Sequence, residues 1–259
     1  MKRFFLQNGV LFFISWLLLT SCMGEGRNVQ SGSAFGVLRF DFKSAKNLLD
    51  VSDYDSFYSI RFQEANEGNC FWVVYEIDWD RPENSYESIE ANGYLMVDIL
   101  EKPDVDKWMV NPVLTDTSKI LTGEVPLISP AMSGEWAYVK GLLFIISSLD
   151  IPTNQTMYWN LSFDRDNMVK DESGQRYFNV FLRTAVNIPG TYSKDRMNVA
   201  NAFAIESYIK DVAKQVQEAN GTSFKIRFNY PSSISESGKI TWERLDSYDI
   251  PVEYILPKE

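Results

Sequence analysis

The sequence predicts a mainly β protein made of two strand-rich units, with one amphipathic helix in the second. Three observations carry this reading. Apolar and polar residues alternate with period two through most of residues 35–110 and again beyond 136. Clusters of Gly, Pro, Asn and Ser punctuate the alternation, and one stretch at 199–219 changes to the period of a helix.

In the first unit Leu38, Phe40 and Phe42 alternate with Arg39, Asp41 and Lys43, and Phe71, Val73, Tyr75, Ile77 and Trp79 with Trp72, Val74, Glu76 and Asp78. Leu95, Val97 and Ile99 alternate with Met96 and Asp98, and a further strand is expected over 57–63. Turns are expected at Asn66-Glu67-Gly68-Asn69, at 81–85 and at Asn92-Gly93. Four or five antiparallel strands in about eighty residues suit a small OB-like barrel over 35–111. Residues 112–130 hold Pro112, Pro126 and Pro130 with few bulky apolar side chains, and read as a linker.

The second unit, 131–259, opens on a long apolar strand over 136–149. Met157, Trp159, Leu161 and Phe163 alternate with Tyr158, Asn160 and Ser162, and a strand at 177–185 returns across a polar loop at 164–175, which includes Asp164-Arg165-Asp166-Asn167. Over 199–219, Ile205, Tyr208, Ile209, Val212, Val216 and Ala219 share one helical face, Glu206 precedes Lys210 in the favourable i,i+4 order, and Asn220-Gly221 supplies the stop. Phe224, Ile226, Phe228 and Tyr230 then alternate with Lys225, Arg227 and Asn229, and strands near 239–245 and 252–256 close the chain. The expected fold is a small OB-like barrel followed by an antiparallel β-sandwich that carries one amphipathic helix.

The chain begins with a targeting segment rather than a fold. Lys2 and Arg3 precede an apolar run from Val10 to Leu19, and the run closes on Leu19-Thr20-Ser21-Cys22. That core is about half the length a membrane span requires. The spacing resembles the lipobox of bacterial lipoproteins. The resemblance implies cleavage before Cys22, a diacylglycerol on its thiol and an acyl chain on the new amino terminus. The mature chain would then start at Cys22, with 22–34 as a lipidated tether, and its membrane contact would run through the lipid. The expected place is the cell envelope, as an outer membrane lipoprotein, facing the periplasm or the surface.

Composition narrows the function. Removing residues 1–21 leaves 23 basic against 35 acidic residues, a net charge of about −12, with no basic cluster past residue 3. Nucleic-acid partners are therefore excluded, because such binding depends on neutralising phosphates. The chain has no histidine. Ser-His-Asp and Cys-His catalysis are ruled out, and a catalytic zinc site loses its usual ligand. Of the two cysteines, Cys22 is assigned to lipid, so Cys70 has no internal disulfide partner and reads as a small buried hydrophobe at the head of a strand.

A lipobox, a short tether, a small barrel and a C-terminal sandwich with the late strand Lys225-Ile226-Arg227-Phe228-Asn229-Tyr230 resemble the layout of the NigD-like lipoproteins of Bacteroidetes. The resemblance implies an envelope setting and transfers no catalytic residue. It leaves a non-enzymatic binding or interaction module as the expected role, with an envelope protein or a glycan as partner and no cofactor beyond the lipid.

One alternative rests on Glu76, Asp78 and Asp80, which project from one strand face at steps of about 6.5–7 Å. Three carboxylates in a row are the arrangement of retaining β-glucanases of the jelly-roll class, whose outer pair stands about 5–5.5 Å apart. The same turn offers hard oxygen donors for calcium at Asp78, Asp80, Glu83 and Asn84. Trp72 and Trp79, on opposite faces of that strand, are the candidate ligand-stacking rings. The lipid assignment yields the first test: Cys22→Ala should leave the precursor uncleaved and abolish metabolic fatty-acid labelling, whereas an unchanged mature form would refute it.

Overall fold

The computed structural model describes residues 27–52, 55–131, 137–170, 173–247 and 249–256, the side chains of 165–170 excepted. The leader, Cys22 and Trp136 lie outside this set. The first part of the chain forms β1 (Val29–Asp41), β2 (Lys46–Asp50), β3 (Ser56–Tyr58), β4 (Cys70–Asp78), a short helix α1 (Tyr86–Asn92), β5 (Leu95–Met96), β6 (Asp98–Glu101) and β7 (Asp104–Met109). The second part forms β8 (Ser129–Ala131), β9 (Tyr138–Val139), β10 (Leu142–Pro152), β11 (Thr156–Lys170), β12 (Arg176–Ile188), β13 (Lys194–Ala204), α2 (Glu206–Glu218), β14 (Ser223–Ile234), β15 (Ile240–Asp246), β16 (Ile250–Pro251) and α3 (Val252–Ile255).

The fold is mainly β, as the alternation predicts, and its first unit is OB-like. Strands run in the order β5-β3-β2-β1-β4, with β6 on β4, around Leu38, Leu49, Phe57, Phe62, Phe71, Val73, Ile77, Val97 and Ile99. The ends of that path, β5 and β6, are joined through buried Val97, whose N–H donates to the Tyr58 carbonyl at 2.9 Å. The wall thus comes round by chain connection, and no ladder closes it into a barrel.

The two units share a sheet. Residues Cys70 and Phe71 of β4 pair with β7, and β7 pairs in parallel with β13, so eleven strands run on from the OB-like unit through β13 and β10 to β8. β11, β12, β14, β15 and β16 form the second sheet. Leu143, Ile145, Leu149 and Ile151 of β10 face it and α2. Leu142 and Phe144 face the first unit, where Phe144 stacks on Phe35 at 4.9 Å. The one strand expected over 136–149 is instead β9 and β10, separated by a turn at Lys140-Gly141, and the continuous apolar run marks β10, which is buried on both faces.

The structure corrects several boundaries, and the strand expected near 252–256 is the short helix α3, preceded by β16. Residues 29–34, expected within the tether, are the first half of β1 and pair with β4 from Val29↔Asp78 to Ala34↔Val73. Their small side chains have a packing reason: a Cβ at Gly32 would lie 2.7 Å from the Tyr75 hydroxyl, so the ring needs that gap. The loop expected at 164–175 is in part strand, since β11 continues to Lys170 past an irregularity between Phe163 and Met168. The helix starts at Glu206, because 199–204 belongs to β13. Ala200, Ala202 and Ala204 sit against the first unit, where small side chains let the layers approach, and alanine by itself signals helix. The strand expected over 57–63 ends at Tyr58 and becomes a 3-10 turn, Ile60–Phe62.

Of residues 112–130, expected as a linker, 112–127 lie as a strap across the outer face of the second sheet and 129–130 open β8. Asn111 bridges to Ser162 and Glu124 to Ala185, and Thr115 N–H and hydroxyl meet Ser162 and Asn160. Beneath the strap Arg183, fully buried, donates to both carboxylate oxygens of equally buried Glu124 at 2.6 Å, and to the carbonyls of Asp116 at 2.9 Å and Lys119 at 2.6 Å. Arg183→Met would strand a buried carboxylate and two carbonyls, and should lower unfolding stability by about 3–5 kcal/mol in urea titration. Adding Glu124→Leu should recover part of the loss.

Candidate functional site

The carboxylate row sits where β4 ends beside the start of β1. Glu76 accepts from the Ser31 hydroxyl at 3.3 Å. Asp78 lies 4.0 Å from Arg27 and 3.8 Å from Arg81, and also accepts from the Asp80 N–H at 3.1 Å. Asp80 accepts from the Asn28 N–H at 3.0 Å, and Arg81 turns to Asp98 on β6. Asp78 and Asp80 are engaged at the turn that ends β4, and Glu76 bonds across to β1.

The donors considered for calcium are placed differently from that scheme. Asn84 is buried, and its amide bonds the carbonyls of Asp78 and Met96 at 2.9 Å each and the Met96 N–H at 2.8 Å, which makes it a clamp for the turn. Glu83 is exposed. Among the described residues, Asp78, Asp80 and Glu83 do not gather into a group of three able to hold a metal ion. Trp72 packs at 6.2 Å on Phe35 between the two units, half-buried. Trp79 is 36% exposed, its indole N–H on Gln30 at 3.2 Å. The two rings point into different environments and form no shared surface.

A second surface was legible only as the strand Lys225–Tyr230. Phe178, Val180, Leu182, Ile226 and Phe228 face the core, so Tyr177, Asn179, Phe181, Arg227 and Asn229 stand on the outer face of the second sheet. β15 adds Trp242, Arg244 and Asp246 to the same face by register. The strap covers this face as far as Arg183; beyond it Tyr177, Asn179, Phe181, Arg227, Asn229 and Trp242 are half-exposed.

The groups on this face hold one another in place. The Arg227 guanidinium lies 3.8 Å from the centroid of the Tyr177 ring and grips Asp246 through two bonds of 2.6 and 2.9 Å. That hydrogen bonding holds the Asp246 carboxyl below the usual carboxylate range. Asn229 donates to Asn179 at 3.1 Å and to the Val180 carbonyl at 3.2 Å, and Phe181 meets Trp242 edge to face at 5.5 Å. Planar amide, guanidinium and aromatic groups are thus fixed side by side on one face of the sheet. Sequence alternation could place the β14 residues on one face, but their partners come from strands about fifty and twenty residues away.

An OB-like wall continued into a two-sheet layer makes this a two-unit β protein. Residues 26–103 match the family described as lipoprotein OB domain. Among solved structures, the chain is similar to an uncharacterized protein from Parabacteroides merdae, with 16% identity and a TM-score of 0.71 over 86% of this chain and 99% of that one. It is also similar to a candidate lipoprotein from Bacteroides fragilis, with 9% identity and a TM-score of 0.58 over 84% and 97%. A NigD-like immunity protein from Bacteroides caccae matches with 12% identity and a TM-score of 0.46 over 85% and 94%. Comparison with curated proteins finds no match. The resemblance read from the layout holds in this form: a lipoprotein OB domain at the front of a fold found in Bacteroides and its relatives.

Cys70, the one thiol among the described residues, is buried between the units, where burial pushes its pKa up to about 11 against a weak opposing effect of Lys107. It is a poor nucleophile at neutral pH. Because the folded thiol keeps its proton where the unfolded one loses it, stability falls as pH rises from about 9 to about 11. Relative to Cys70→Ala, the wild type should lose up to about 3 kcal/mol of unfolding free energy across that window in urea titrations.

Proposed function

We propose that this protein is a lipid-anchored, non-enzymatic binding module of the outer membrane, held through Cys22, with the outer face of its second sheet as the binding surface. One observation carries the reading: Tyr177, Arg227, Asp246, Asn179 and Asn229 are locked to one another on a half-exposed face. Side chains ordered before binding spare a ligand the entropy of ordering them. The lipobox and the lipoprotein OB domain support the envelope setting.

The chemistry of the face favours a glycan. Amide and guanidinium groups match hydroxyl donors and acceptors, and the neighbouring rings of Phe181 and Trp242 offer apolar surface to a sugar's C–H faces. The test is binding of the fragment 23–259 to arrays of host and microbial glycans. Tyr177→Ala and Asn229→Ala should each weaken a binding glycan at least tenfold without shifting the thermal midpoint by more than a few degrees. Binding unaffected by either variant would refute this surface. Silence across the arrays, with crosslinking to one envelope protein, would replace the glycan by a protein partner, and turnover of a bound glycan would overturn the non-enzymatic reading.

A further inference from the structure

The acidic turn and Trp79 acquire a role when the distance to the anchor is worked out. β1 begins at Val29, seven residues after Cys22. Seven residues of fully extended chain span at most about 25 Å, so with Cys22 at a bilayer surface the start of β1 cannot leave it by more than that. The antiparallel register sets Val29 opposite Asp78, and the Trp79 N–H donates to the Asn28 carbonyl at 2.8 Å, which places Trp79 at this same end.

The side chains displayed there suit a lipid surface. Val29 and Trp79 are 37% and 36% exposed, and the Arg27 side chain is 81% exposed. An indole, apolar in body and polar at its N–H, belongs at the headgroup level of a bilayer, and Trp79 satisfies that N–H on Gln30. Arg27 and Arg81 are outnumbered by Glu76, Asp78, Asp80 and Asp98, so the matching surface is zwitterionic rather than anionic. A short tether also raises the local concentration of this end at the membrane to the millimolar range, which populates even a weak contact.

We infer that the Val29–Trp79 end of the OB-like unit docks on zwitterionic lipid, with the Trp79 indole in the headgroup layer. This inference rests on the lipid-anchor reading. The test uses the lipidated full-length protein in phosphatidylethanolamine–phosphatidylcholine vesicles that carry nitroxide-labelled lipid. Cys22 is acylated and Cys70 is buried and protonated, so a thiol-reactive fluorophore reports on Trp79→Cys, or on Ser237→Cys in the β14–β15 hairpin as a control. The expected result is at least twofold quenching at position 79 and little at 237. In the protein without an added cysteine, Trp79→Phe should remove a brominated-lipid-quenched fraction of the tryptophan emission. Co-flotation with vesicles but equal quenching at 79 and 237, and an unchanged quenched fraction in Trp79→Phe, would overturn the docking while leaving the anchor intact. Failure to co-float would overturn the anchor and the docking with it.

Discussion

The pair of Arg183 and Glu124 is the constraint on which the second unit depends. An arginine on the outer face of a sheet is ordinarily solvated; here it lies under a proline-bearing strap, and a charge taken out of water in this way must be matched on every side. Glu124 satisfies the charge, and the carbonyls of Asp116 and Lys119 take the remaining donors. Because those acceptors lie on the strap and Arg183 on β12, the pair fixes the connecting segment to the sheet. It also sets where coverage stops, and so which part of the face stays open.

The parity of strands organises the rest. A strand offers two faces, and in β4, β10 and β13 both are spent on cores. In β4 Phe71, Val73 and Ile77 fill the OB-like interior while Cys70 and Trp72 meet the second unit. In β10 and β13 the alternate residues divide between that contact and the main sandwich core. The residues that mediate contact between the units are either aromatic, such as Phe35 and Phe144, or very small, such as Ala200 and Ala202. Large rings supply area, and alanines let the backbones come close.

Much of this was legible in the sequence, and what was not had physical causes. The alternations at 71–79, 157–163 and 224–230 gave β4, β11 and β14 with their main core faces, because in each the large apolar side chains fall on one face. Val29–Ala34 was unreadable as strand because most of its side chains are small or polar, Gly32 making room for Tyr75 across the ladder. The alanines of β13 mimicked a helix because inter-unit packing selected them for size. The strap read as a linker because its anchors are polar contacts with residues some forty-five or more positions away, which leave no apolar period in its own sequence. For the candidate sites, spacing found the Glu76–Asp80 row and the tryptophans as residues, but not their neighbours. The paired face of Tyr177, Asn229 and Asp246 is a property of strand order, β12-β14-β15, which a single sequence does not display.

The length of β1 has a mechanical meaning. A load applied at the amino-terminal end of the fold enters along β1, whose first nine residues are laddered to β4 from Val29↔Asp78 to Val37↔Cys70. Those hydrogen bonds lie across the strand, so tension along it loads the ladder in shear and many bonds resist together, whereas peeling would break them one at a time. From β4 the path continues through β7 into β13 without leaving the eleven-stranded sheet. A pull on the start of β1 is thereby shared across the sheet.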